Sequence, residues 1–191
     1  QQAPTRQAPA TTERKRMGIT AAPDDQALLL ELQEFDLRAC IEETLDLFAN
    51  AAAEKGLGLA YQIDDACPAT CVSDPTRLRQ ILANLVSNAV KFTERGSVSL
   101  HAFVTHREAN KVRLRFEVRD TGIGMSPEQQ GKLFLAFQQA DVSTTRTHGG
   151  TGLGLAIVKH VLQRHGASLD ITSELGKGST FSVTFPANRL R

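Results

Sequence analysis

Three stretches of this chain place chemically capable residues at spacings that packing alone does not call for. Asn84, Asn88 and Lys91 stand at i, i+4 and i+7, so they share one face of any helix that carries them. Asparagine is a mediocre helix former because its amide competes for backbone hydrogen bonds. Two of them one turn apart, beside a lysine, mark either a solvated face or a face turned to a phosphate-bearing ligand. Neutral amide oxygens suit a hard cation that already carries phosphate oxygens and water, and the lysine offers phosphate a point charge. Asp120-Thr121-Gly122-Ile123-Gly124-Met125 is the second stretch. Asp and Gly are ordinary in a strand-ending turn. A carboxylate there can also accept a hydrogen bond from an exocyclic amine, while glycines let the backbone approach a flat base. The third stretch is Gly149-Gly150-Thr151-Gly152-Leu153-Gly154, followed at once by Leu155, Ala156, Ile157 and Val158. Glycines leading into a helix leave free backbone N–H groups at its positive end, which is an anion site. No Gly-Lys-Ser/Thr follows, so it is not a Walker loop. Leu155 stands where a dinucleotide fingerprint needs its third glycine.

These stretches need elements to hold them. Asp36 is an N-cap candidate ahead of Leu37, Ile41, Leu45 and Phe48 at helical spacing, and that helix stops at Gly56. Residues 57–63 read as a strand. Asp74-Pro75 opens a second helix running to about Phe92, with Leu78, Ile81, Leu82, Leu85, Val86 and Ala89 as its apolar stripe. Strands follow at about 97–105 and 111–119, the second alternating through Val112, Leu114, Phe116 and Val118, with a polar turn around Glu108 to Asn110. Ser126-Pro127 opens a short helix to Phe137; a polar, Thr-rich stretch from Gln139 to His148 could close over a ligand as a lid. A helix over about 153–165 ends at Gly166, and strands at 168–173 and 179–185 flank Leu175-Gly176-Lys177-Gly178. The expected fold is an α/β (α+β) two-layer sandwich, with a mixed, mostly antiparallel sheet of about five strands covered on one face by about three helices. Residues 1–27 carry no periodicity and read as a linker or tail, including the solvated cluster Arg14–Lys15–Arg16; residues 28–191 read as one domain.

Bulk properties exclude several classes of function. The 191 residues carry a net charge of +1, with 41% hydrophobic and 23% charged residues, so no global field favours nucleic acid or an acidic membrane surface. No apolar run approaches the roughly 20 residues needed to cross a bilayer. Cys40, Cys67 and Cys71 are too few and too scattered for a disulfide framework and read as reduced thiols.

Taken together and in order, the motifs resemble those of sensor histidine kinase catalytic domains. ILANLVSNAVKFT resembles the asparagine box of that family, and DTGIGM its first glycine box. LFLAF, with Phe134 and Phe137, resembles its phenylalanine box. GGTGLGLAIVKHVLQRHG is similar to its second glycine box and following helix, and GKGSTFSVTFP to its closing strand pair. The likeness covers about residues 35 to 187. It implies the Bergerat fold, shared with type II topoisomerases, a heat-shock chaperone family and mismatch-repair ATPases.

The resemblance also implies roles. Asn88 would ligate Mg2+, and Asn84 would sit where the related ATPases hold a water-activating glutamate, which an amide cannot replace as a base. Lys91 would contact phosphate. Asp120 would bind the adenine amine of ATP, with Gly122 and Gly124 shaping the base pocket and Thr180 near the same contact. Gly150, Thr151, Gly152, Leu153 and Gly154 would border the phosphates, and Arg146, better placed than Lys132, would reach the terminal one. Phe134 and Phe137 fit a plain core role equally well. The implied reaction moves the γ-phosphoryl group to a histidine on a separate dimerisation domain, and from there, indirectly, to a response regulator receiver domain. None of His101, His106, His148, His160 and His165 sits in an acceptor pattern, so the acceptor is expected elsewhere. The isolated domain is expected to be a weakly active cytoplasmic monomer without nucleic-acid or membrane contact. Its parent is expected to be a homodimer that could be anchored in the inner membrane. A nucleotide-binding regulator and a chaperone-like ATPase are the competing classes; Asn84 in place of a glutamate weighs against the latter.

Overall fold

The computed structural model describes residues 16–17, 32–139 and 152–186. Arg14, Lys15, Arg146, His148, Gly149, Gly150 and Thr151 lie outside the described residues, as does most of the expected lid. In chain order the elements are β1 (Arg16–Met17), β2 (Gln33–Asp36), α1 (Leu37–Asp46), α2 (Ala49–Glu54), β3 (Gly58–Ile63), β4 (Thr70–Ser73), α3 (Pro75–Phe92), β5 (Ser97–Glu108), β6 (Lys111–Asp120), α4 (Pro127–Gln139), α5 (Gly152–His165), β7 (Ser168–Glu174) and β8 (Gly178–Phe185).

The main sheet runs β1-β7-β8-β6-β5-β3. Only β3 and β5 pair in parallel; the other neighbours are antiparallel. Five long strands and one two-residue strand thus make the mixed, mostly antiparallel sheet that the pattern predicts. Arg16 and Met17 pair with Asp170 and Leu169 at the β7 edge. β2 and β4 form a separate short ribbon in which Phe35 opposes Cys71.

One face of the sheet is apolar in successive rows across the strands. Leu114 opposes Phe185, Phe116 opposes Val183, and Val118 opposes Phe181. The last two rows extend into β7 through Leu169 and Ile171. Onto this face packs α3 through the predicted stripe, every member of which is buried. α1 and α5 both pack against α3. Asp74 caps α3, its carboxylate accepting from Arg77 N at 3.1 Å, with Pro75 at the first turn. Asp36 caps α1 in the same manner through Ala39 N at 2.8 Å.

Two expectations needed correction. The helix read from Asp36 to Gly56 is two helices. The chain turns at Leu47–Phe48, where Leu47 is 70% exposed, the Phe48 ring packs on the core, and Phe48 takes a non-helical ψ of 0°. The β2–β4 ribbon was not read at all, because four-residue strands carry too little alternation to register. With that split, the described residues hold five helices where the sequence reading places four. Among the cysteines, burial pushes the Cys71 thiol up to about 12 and Cys40 to about 11, which makes both of them core side chains with inert sulfur.

Candidate functional site

The apolar rows of the sheet end in a polar one. One step beyond Val118 and Phe181, Asp120 opposes Ser179, and Ser179 opposes Ser173. Asp120 ends β6 and is only 6% exposed. Both hydrogen bonds it accepts from described residues fall on Oδ1, from Gly122 N at 2.9 Å and Ser179 N at 3.3 Å. Oδ2 accepts none from the described residues. Burial raises the carboxyl above its ordinary value, and the two backbone N–H groups partly offset this by stabilising the anion.

The turn after Asp120 is wedged between two neighbours. Ile123 N donates to Phe92 O at the end of α3 (3.4 Å), and Gly176 N of the β7–β8 turn donates to Ile123 O (2.7 Å). A Cβ on Gly122 would run into the Phe92 carbonyl and lie 2.9 Å from Thr93 Oγ1. Gly124 has φ +65°, and a Cβ there would collide with the Glu174 carbonyl. Glycine is therefore required at both positions. Ser173 Oγ secures the far side, accepting from Met125 N (2.8 Å) and meeting Ser179 Oγ at 2.7 Å.

The carbonyls at the C-terminus of α3 are all accounted for. Thr93 Oγ1 donates to Ala89 O (2.7 Å). Lys55, just after α2, donates through Nζ to Val90 O (3.0 Å), Lys91 O (3.2 Å) and Thr93 O (3.4 Å). The remaining one, Phe92 O, takes Ile123 N.

Asn84 and Asn88 line a cleft between α3 and the sheet, closed by Leu133 and Phe137 of α4, Val158 of α5, Ile171 of β7 and Phe181 of β8. Their amides supply the polar atoms of an otherwise apolar wall. Both residues are half-buried, so the fully solvated alternative does not describe them. Lys91 is exposed and does not line the cleft; its ammonium lies 5.5 Å from the centre of its neighbour Phe92. Phe137 is fully buried and Phe134 packs on the core, in keeping with the core role. Lys132 is exposed beside Glu128 at 3.6 Å. Gly152, Leu153 and Gly154 form the first turn of α5.

Thr180 is corrected. It opposes Arg119 and Thr172, so it faces away from Asp120 on the other side of the sheet. Ser179 occupies the position beside Asp120. The signal was present in the alternation: Ser179 is in phase with the inward Phe181, Val183 and Phe185, and Thr180 is not. Lys55, Thr93 and Ser173 were also missed, since their roles depend on contacts between distant segments.

The family model described as "Histidine kinase-, DNA gyrase B-, and HSP90-like ATPase" matches residues 73–189. The signal transduction histidine-protein kinase BarA of Escherichia coli (strain K12) is 42% identical over 154 residues, 81% of this chain and 17% of BarA. The sensor histidine kinase GacS of Pseudomonas protegens is 42% identical over 164 residues, 85% of this chain and 18% of GacS. The chain thus spans about a sixth of the length of these curated relatives. Among solved structures, full-length ShkA in complex with AMPPNP superposes with a TM-score of 0.68 at 37% identity, over 84% of this chain and 32% of ShkA. The matched span contains the asparagine-bearing helix, the Asp120 turn and the closing strand pair, and the chain belongs to the histidine kinase-, DNA gyrase B- and HSP90-like ATPase family.

Proposed function

We propose that residues 28–191 are the ATP-binding catalytic domain of a two-component sensor histidine kinase. In this reading it binds Mg-ATP and donates the γ-phosphoryl group to a histidine on a separate dimerisation domain. Residues 1–27 lead into the domain, with Arg16–Met17 resting on its sheet edge. The observation that carries this reading is the carboxylate of Asp120, buried at a strand end with Oδ1 occupied by backbone N–H groups and Oδ2 available. That arrangement suits the exocyclic amine of adenine. Gly122, packed against the Phe92 carbonyl at the end of α3, supplies the N–H that occupies Oδ1, and Ser179, in place of Thr180, completes the polar row.

The residues fit a magnesium ion that arrives with the nucleotide. Such an ion keeps phosphate oxygens and water and asks the protein for only one or two further oxygens. The Asn84 and Asn88 amides, half-buried on the cleft side of α3, offer neutral ones, with Asn88 as the ligand. When bound, the ion neutralises phosphate charge. The first turn of α5 presents backbone N–H groups to the phosphates through Gly152, Leu153 and Gly154. Gly150 and Thr151 extend that border, and Lys91 and Arg146 supply cations. Asn84 holds no proton-accepting carboxylate, which favours transfer to a histidine over activation of water.

The partners proposed are the parent's dimerisation domain and, through it, a receiver domain, in a homodimeric parent acting in the cytoplasm. No helix among the described residues is long and apolar enough to cross a membrane. The test is to mix this chain, γ-labelled ATP, magnesium and the purified dimerisation domain of its parent. Acid-labile, base-stable label on that domain is the expected outcome. Steady phosphate release without labelled protein would sink the kinase reading in favour of a hydrolase.

A further inference from the structure

We infer that Lys55 is a positioning residue for nucleotide binding: its ammonium holds the last turn of α3, and the Asp120–Gly124 turn is built on that end. This rests on the adenine reading of Asp120. An ammonium has three N–H donors, and Lys55 Nζ has three carbonyls within reach, those of Val90, Lys91 and Thr93. Among the described residues its one carboxylate partner, Glu94, is farther, at 3.6 Å, and exposed. Lys55 thus caps a helix to which it is not covalently adjacent, from 35 or more residues away in sequence.

The carbonyl Lys55 leaves uncapped is Phe92 O, the acceptor of Ile123 N and the atom that Gly122 lies against. Two other segments therefore converge on the end of α3, which Thr93 Oγ1 closes from within: the end of α2 through Lys55, and the turn that carries Asp120 through Ile123 N. Without the ammonium, the carbonyls of Val90, Lys91 and Thr93 must find water, and the last turn loosens. Phe92 O fills the space a Gly122 Cβ would take and accepts Ile123 N, so displacement of that helix turn shifts Ile123 N–H and, beside it, the Gly122 N–H that holds Asp120 Oδ1. Lys55 touches neither Asp120 nor the cleft, and acts only through the helix end.

The test compares the wild-type chain with Lys55→Met, which keeps the aliphatic stem, Lys55→Arg, which keeps cationic donors, and Asp36→Ala, which removes the cap of α1. Two quantities are read: AMPPNP affinity by calorimetry, and amide hydrogen exchange at Gly122 and Ile123. Lys55→Met should weaken AMPPNP about ten-fold or more, the scale of losing hydrogen bonds from a charged donor. It should also speed exchange at Ile123, and Lys55→Arg should recover part of both. Asp36→Ala, compared at equal distance below its melting temperature, should change neither. AMPPNP affinity within two-fold of wild type in Lys55→Met overturns the proposal, as does an equal loss in Asp36→Ala. If Lys55→Met fails to fold, Lys55→Gln, which retains a neutral donor, carries the same comparison. If the wild type itself does not bind AMPPNP, the adenine reading falls, while exchange at Ile123 still decides whether Lys55 holds the turn.

Discussion

Asp120 must carry charge in surroundings that penalise it. Burial lifts its carboxyl above the ordinary value of 3.8, so the folded chain holds this proton at pH values where the unfolded chain has released it. The sign follows. Stability from this group falls as pH rises from 3.8 through the folded value, and the deficit persists above it. Asp120→Asn removes the deficit. Its Oδ1 still accepts from Gly122 N and Ser179 N, while its NH2 takes the place of Oδ2 and meets the adenine amine donor to donor. The expected outcome is a melting temperature at or above wild type, an advantage that shrinks below pH 4 or so, and AMPPNP binding weakened by more than about ten-fold in calorimetry. Unchanged affinity would remove the adenine assignment. Gly122→Ala has the opposite stability sign. Its Cβ meets a backbone carbonyl that cannot rotate away, so denaturant melts should show a loss of roughly 1–3 kcal/mol together with lost binding. At this scale, residue type and spacing single out Asp120, Gly122, Gly124, Asn84 and Asn88, and the structure places Asp120 at a strand end, both glycines where a Cβ would collide and both asparagines on a cleft. Thr180 was misplaced by one residue, and in a strand one residue is the whole width of the sheet.

The elements were readable where their signals were local. Asp36 and Asp74 cap the helices they were expected to cap, and the α3 stripe is buried as its periodicity requires. Loss of the Asp36 side chain should cost about 1 kcal/mol in chemical denaturation and leave nucleotide affinity unchanged, since α1 pairs with α3 through Glu43 and Arg79, near the opposite end of α3 from Phe92 and the Asp120 turn. A loss of affinity in that variant would mean that α1 is coupled to the site. The break between α1 and α2 was not readable, because Phe48 continues the helical spacing and only the core it packs against dictates the turn. Lys55 was silent for the same reason. A lysine after a helix looks like ordinary solvation until the end of another helix is placed beside it.

For the whole molecule, strand count, mixed pairing and one-sided helix cover could be anticipated, whereas the order of strands could not. The sheet places β8 between β6 and β7, although β6 and β8 are far apart in the chain. The polar row of the site lies across that junction: Asp120 and Ser179 are 59 residues apart in sequence yet share a hydrogen bond. This has a consequence for the order of folding. β5 and β6 form a tight hairpin through Ala109, at φ +47°, and need little loop closure, whereas the β6–β8 pairing must enclose α4 and α5. The pocket should therefore assemble after the hairpin, late in folding. In stopped-flow measurements, AMPPNP should then slow unfolding and leave the refolding rate nearly unchanged, because the transition state does not yet hold a site to bind it. Refolding accelerated in proportion to ligand would show the junction forming early instead. A chain caught before that step would carry most of its helices, half of its sheet and no affinity for nucleotide.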